Sequence, residues 1–125
     1  MRAAMRVLYI DDDRVNSLIF AEVCRGAGGV EVETAEDGAE ALELVAQWTP
    51  DLLVIDLHLP DTDGYALLRT LRERLPGAPA VLCTAEDTPR VEAPARAAGF
   101  DACWTKPVSA SQVLAQLDRL RAEPR

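Results

Sequence analysis

The sequence predicts an α/β domain in which five parallel strands form one sheet with helices on both of its faces. Three observations lead there. Apolar runs of strand length recur as "MRVLYI", "VEVET", "DLLVID", "APAVLCT" and "DACWT", with stretches of helical periodicity between them. Strands joined through helices lie parallel, because the crossover returns the chain to the same end of the sheet. The runs Val7 to Ile10 and Leu52 to Ile55 are apolar without alternation, as strands covered on both faces should be. A length of 125 residues, 49% hydrophobic and 27% charged, suits one globular domain over residues 1–125 and leaves no room for a second.

Each helix has a start, a face and a stop. In the first, Val15, Leu18, Ile19 and Val23 form a stripe expected to face the core, ended by Gly26, Gly28 and Gly29. Asp37 and Glu40 make an N-cap pair for the second, which carries Ala41, Leu42, Leu44, Val45 and Trp48 and stops before Pro50. Leu67, Leu68, Leu71 and Leu75 line the third, closed by Pro76 and Gly77. Thr88 and Pro89 open the fourth, but Pro94 falls inside it, so this helix is expected to be short or kinked. Ser109 and Gln112 form a capping box for the last, with Val113, Leu114, Leu117 and Leu120 turned inward before the polar end "RAEPR".

Composition excludes several functions. A formal net charge of −8 with scattered basic residues argues against direct nucleic-acid binding, which gathers Lys and Arg on one face. No apolar run approaches a membrane span, and the opening "MRAAMR" runs into a strand rather than a signal peptide, so a cytoplasmic protein without membrane contact is expected. Cys24, Cys83 and Cys103 are widely spaced among apolar neighbours, which suits small buried side chains better than a disulfide or zinc framework.

The chemistry concentrates at one edge. Asp11 and Asp12 follow the first strand, Asp56 ends the third, Thr84 ends the fourth and Lys106 follows the fifth. In open sheets of this class, ligands bind beyond the carboxyl ends of the strands, where the winding reverses. If the first and third strands are neighbours, three carboxylates converge. At about 5 Å and an effective dielectric near 20, each like-charged pair costs roughly 3 kcal/mol. A hard divalent cation, magnesium or manganese, relieves that repulsion and can also hold phosphate oxygens. Asp56 could then act as nucleophile toward a phosphoryl group, with Lys106 and the Thr84 hydroxyl on the transferred charge.

These residues, in the stretches "VLYIDDD", "LLVIDLHLPDTDG", "VLCTA" and "WTKP", closely resemble the receiver domain of two-component response regulators over nearly the whole chain. The resemblance implies a flavodoxin-like sheet of order 2-1-3-4-5 and a phosphorylation-dependent signalling role rather than a separate enzyme activity. It implies that Asp56 is the phosphoacceptor, Asp12 a direct metal ligand, Asp11 a ligand mainly through water, and the His58 backbone carbonyl the last protein ligand. It further implies that Thr84 is the switch hydroxyl, Lys106 the phosphate partner and Lys106-Pro107 a cis peptide bond. The implied donors are a histidine kinase or a histidine phosphotransfer protein. The output is a contact with another chain, or the chain is a receiver from a larger protein; a phosphorylation-linked homodimer stays open.

Two features depart from the family pattern. Cys103 occupies the position where the family carries an aromatic switch residue, with Trp104 beside it, and Pro94 lies in the helix of the usual signalling face. Asp13 reads as an N-cap and His58 as a loop side chain at the pocket mouth. Two other readings compete with the receiver. One is a pseudo-receiver that binds partners without phosphorylation. The other is a haloacid-dehalogenase-like phosphatase using Asp11 and Asp13 of "DDDRV", which would need a late acidic pair where only Asp118 is present.

Overall fold

The structure, a computed structural model, describes residues 4–122. Five strands, β1 (Met5–Ile10), β2 (Val30–Ala35), β3 (Leu52–Asp56), β4 (Ala80–Thr84) and β5 (Ala102–Thr105), alternate with five helices. The helices are α1 (Arg14–Ala27), α2 (Gly38–Val45), α3 (Gly64–Leu71), α4 (Thr88–Ala98) and α5 (Ala110–Ala122). All strand pairs are parallel, in the order β2-β1-β3-β4-β5. Winding therefore reverses between β1 and β3, which opens a crevice at their carboxyl ends. The outer parts of "MRAAMR" and "RAEPR", residues 1–3 and 123–125, lie outside the described residues.

Strand alternation divides the apolar residues between two cores. Leu8, Ile10, Leu53, Ile55 and Leu82 pack under the helices α2, α3 and α4, meeting Ala41, Leu67, Leu68, Leu71 and Ala95. Val7, Tyr9, Val54, Cys83 and Trp104 face the other way and meet Phe20, Cys24, Val113 and Leu117 of α1 and α5. Both β3 and β4 are buried throughout, as their unbroken apolar runs require. No described helix is long and apolar enough to cross a membrane.

Helix starts follow the sequence closely. Asp13 and Asp37, the caps expected from the sequence, and Asp63, a cap not anticipated, each accept backbone N–H groups from the first turn they precede. The Glu40 carboxylate returns to the Glu36 N–H rather than to Asp37. Ser109 and Gln112 close a reciprocal capping box, with Gln112 N–H on Ser109 Oγ at 3.1 Å and Ser109 N–H on Gln112 Oε1 at 3.4 Å.

Several inward faces differ from expectation. The stripe assigned to α1 is largely exposed: Val15, Leu18 and Ile19 are 62%, 68% and 53% accessible, while Phe20 and Cys24 are the buried residues. Two apolar sets share this helix, and Leu18 lies about 160° around the axis from Phe20, so only one set can face the sheet. The larger Phe20, which stacks on Tyr9, takes the core. Leu114 of α5 likewise points outward, at 36% exposure. Trp48 lies beyond the end of α2, half-buried, with the Arg6 guanidinium 5.4 Å from its ring centroid. Helix α4 runs unbroken to Ala98 despite Pro94. Pro94 is on the exposed side, where water can take the carbonyl one turn back that its missing N–H leaves free.

Candidate functional site

Strand register brings the polar groups together. Ile10 is level with Ile55, so Asp11 and Asp56, each one residue further, leave the sheet side by side. Asp56 is level with Cys83 and Thr84 with Thr105, so Thr84 and Lys106 follow in succession along the same edge. One carboxylate oxygen from each of Asp11, Asp12 and Asp56 lies within 4.8 Å of the others.

Lys106 is the counter-charge that the three aspartates require. Its Nζ is 2.8 Å from Asp11 Oδ2 and 3.0 Å from Asp56 Oδ2. Burial disfavours the lysine charge, but the hydrogen bonds to Asp11 and Asp56 outweigh it and raise the pKa above its ordinary value. Burial also works against the Asp11 charge; Lys106 and the Asp13 N–H more than compensate and hold this carboxyl below the usual range. Asp56 goes the other way. Burial raises it, the Asp11 charge adds to that, and Lys106 only partly opposes them.

The exposed member of the trio is Asp12; Asp11 and Asp56 are 1% and 7% accessible. Asp11 Oδ2 accepts from the Tyr9 hydroxyl at 3.0 Å and Asn16 Nδ2 at 3.3 Å in addition to Lys106, and Oδ1 accepts from the Asp13 N–H at 2.9 Å. Three carboxylates against one ammonium leave two negative charges. An all-oxygen donor set with that excess fits magnesium or manganese, with Asp12 offering the most open carboxylate.

The loop after β3 is tightly held. His58 and Asp63 form a bridge, Leu59 N–H donates to the Thr62 carbonyl, and Gly64 N–H donates to the Leu57 carbonyl at 2.7 Å. Asp61 accepts the Gly38 and Ala39 N–H groups, tying this loop to the start of α2. Those bonds hold its carboxyl below the ordinary value. The backbone of His58 lies beside Asp56, its N–H 3.4 Å from Oδ1. Its exposed imidazole pairs with Glu86, which reaches across from the loop after β4. Thr84 is 2% exposed, and its Oγ1 accepts the Glu86 N–H at 3.1 Å.

The family model described as the response regulator receiver domain matches residues 7–118. The chain belongs to this family. Response regulator MprA of Mycobacterium leprae (strain TN) is 37% identical over 122 residues, covering 93% of this chain and 50% of that protein. MprA of Mycobacterium avium (strain 104) is 35% identical with the same coverage. The receiver domain thus spans about half the length of the curated relatives it matches. Among solved structures, a putative response regulator from Chloroflexus aurantiacus superposes with a TM-score of 0.88 at 29% identity, covering 96% of this chain and 99% of that one. A CheY-like receiver domain protein from Methanospirillum hungatei gives 0.85 at 27% identity, covering 94% of each chain.

Phosphorylation-dependent signalling is the function of this family, and neither competing reading is favoured. The Asp13 carboxylate, which a phosphatase would use as acid or base, caps α1 through the Val15 and Asn16 N–H groups. Asp118 is exposed on α5. Lys106-Pro107 is a cis peptide bond. At the departing position, Cys103 is half-buried on the α4 side of the sheet, not fully buried as expected, while Trp104 lies in the opposite core. All three cysteines are free. The residues not anticipated as part of the site are Tyr9, Asn16, Glu86 and Asp61. Tyr9 alone carried a sequence signal, a polar atom in an otherwise aliphatic run that a buried strand can hold only if it is bonded.

Proposed function

We infer that this receiver domain accepts a phosphoryl group on Asp56 from a histidine kinase or histidine phosphotransfer protein and signals through a changed protein contact. The observation that carries the reading is the Lys106 ammonium held between Asp11 and Asp56, with a third carboxylate, Asp12, left over to take a cation. Asp11, Asp12, Asp56 and the His58 backbone carbonyl are the residues that would hold magnesium or manganese. When bound, the cation neutralises charge on the transferring phosphoryl oxygens.

An Asp56 carboxylate oxygen forms the new bond to phosphorus as the bond to the donor nitrogen breaks, and the leaving imidazole keeps that electron pair. Lys106 then has a phosphoryl oxygen to engage in place of the Asp56 carboxylate, and the Thr84 hydroxyl can donate to another. Phosphorylation replaces the Asp56 carboxylate charge with about −1.5 to −2 charges on the phosphoryl group, a net gain of about −0.5 to −1 at a site balanced around one ammonium, which biases the segment from Thr84 to Glu86. Val15, Leu18 and Ile19 are exposed on the helix that begins at the site. Because the donor must reach Asp56 past this edge, they form an apolar surface for the donor protein.

Two measurements test the reading. Borohydride reduction of the phosphorylated protein, followed by peptide mapping, should convert Asp56 alone to homoserine; trapping at Asp11 would support the phosphatase reading instead. In magnesium titrations by calorimetry, Asp12→Asn should weaken binding more than Asp11→Asn, because Asp11 already accepts from four protein donors and keeps capacity only on Oδ1. The reverse order would refute the ligand assignment.

A further inference from the structure

The Tyr9 side chain has no part in the chemistry above, yet it reaches the site from inside the protein. Tyr9 faces α1 and α5, and Asp11, one residue past β1 with its N–H still on the Ala35 carbonyl, continues the strand alternation onto the same side. The ring is 2% exposed and stacks on Phe20 of α1, with centroids 4.4 Å apart and planes 16° from parallel. A phenylalanine would fill this apolar space without a hydroxyl to satisfy. Here the hydroxyl donates to Asp11 Oδ2 at 3.0 Å, the oxygen that also receives Lys106 and Asn16. Among the described residues, three donors occupy Oδ2, whereas Oδ1 holds only the Asp13 N–H. Oδ1 therefore has the remaining acceptor capacity of this carboxylate.

We propose that Tyr9 is a positioning residue for the acidic site: clamped by Phe20, its hydroxyl fixes the Asp11 carboxylate so that Oδ2 faces Lys106 and Oδ1 is the oxygen free to serve the cation. The lever is mechanical. A side chain on the rim could move with solvent, but a stacked ring in the core cannot follow Asp11 if that carboxylate turns. Tyr9 also couples the site to α1 through Phe20, the residue that sets which face of this helix is buried. This role rests on the magnesium reading of the site, and its test keeps the two apart.

The experiment compares wild type, Tyr9→Phe, Asp11→Asn and the double variant by magnesium calorimetry, and follows the Asp13 backbone amide by NMR without metal. Tyr9→Phe should weaken magnesium binding about tenfold, at the low end for loss of a residue that orients a ligand, because Lys106 and Asn16 still hold Oδ2. The metal-free Asp13 amide resonance should move, since it reports the hydrogen bond to Asp11 Oδ1. In the Asp11→Asn background the same exchange should cause no further loss, because Tyr9 acts through that carboxylate. Magnesium affinity within about twofold of wild type, or losses that add in the double variant, would overturn the role. Failure of the wild type to bind magnesium would refute the cation reading instead. The amide measurement needs no metal, so an unmoved Asp13 resonance then overturns the positioning of Asp11, and a moved one supports it. If Tyr9→Phe folds poorly, Asn16→Ala removes another donor to the same oxygen from a half-buried position outside the core, and an unmoved Asp13 amide there overturns the claim that these donors fix Asp11.

Discussion

Replacing Lys106 with methionine is expected to destabilise the metal-free receiver domain by roughly 3 kcal/mol, the scale for removing one partner of a buried ion pair. Lys106 is the shared partner of Asp11 and Asp56, and all three side chains are largely buried, at 16%, 1% and 10% exposure. Methionine keeps much of the volume of the stem but leaves two carboxylates facing each other without a cation. Burial already raises the Asp56 pKa with the lysine present, and Lys106 does most to hold Asp11 below its ordinary value, so removing the lysine pushes Asp56 further toward protonation and Asp11 in the same direction. Thermal unfolding in chelator should show the loss as a fall on the order of 10 °C. Added magnesium should recover more stability in the variant than in wild type, because it supplies the charge the variant lacks. An equally stable variant in chelator would mean that the carboxylates do not depend on this lysine.

The second large effect is expected at Gly64, the first residue of α3. A Cβ built there would lie 2.7 Å from the Asp56 backbone oxygen and 3.2 Å from Leu57 Cα. Those are main-chain atoms and have no rotamer in which to escape. Its neighbour Leu82 Cδ1, at 3.1 Å, could yield, but the strand end could not. Gly64→Ala should therefore cost about 2–3 kcal/mol by overpacking. It should also slow phosphorylation, since the displaced carbonyl belongs to the residue that carries the proposed acceptor. Chemical denaturation and the initial rate of labelling by acetyl phosphate measure the two effects. A variant within about 0.5 kcal/mol of wild type, the range of an ordinary surface substitution, would show that α3 can shift freely against β3.

Most of the sheet was legible because its signals are local. The unbroken apolar runs of β1, β3 and β4, together with the aspartate and capping-box starts of the helices, rest on short-range chemistry that the structure repeats. The site was legible for a related reason: in a parallel sheet every strand ends at the same edge, so residues at or just past the ends of β1, β3, β4 and β5 meet once the strand order is known. What periodicity could not settle was the rotation of α1. Val15, Leu18 and Ile19 make as regular a stripe as Phe20 and Cys24 do, and only the Tyr9 ring across the interface selects between them. Leu114 on α5 and the unbroken α4 at Pro94 were missed for a similar reason, because each depends on which side of a helix faces water. The pairing of His58 with Glu86, and of Asp61 with the start of α2, joins loops distant in sequence and leaves no pattern along the chain.

Intact mass after incubation with acetyl phosphate and magnesium, for wild type, Asp56→Asn and a chelated control, tests the account most directly. The account predicts one added phosphoryl group on the wild type, none on Asp56→Asn and none in chelator. An adduct of equal yield on Asp56→Asn would contradict it, as would a wild type that takes no phosphoryl group even when quenched rapidly after a short incubation.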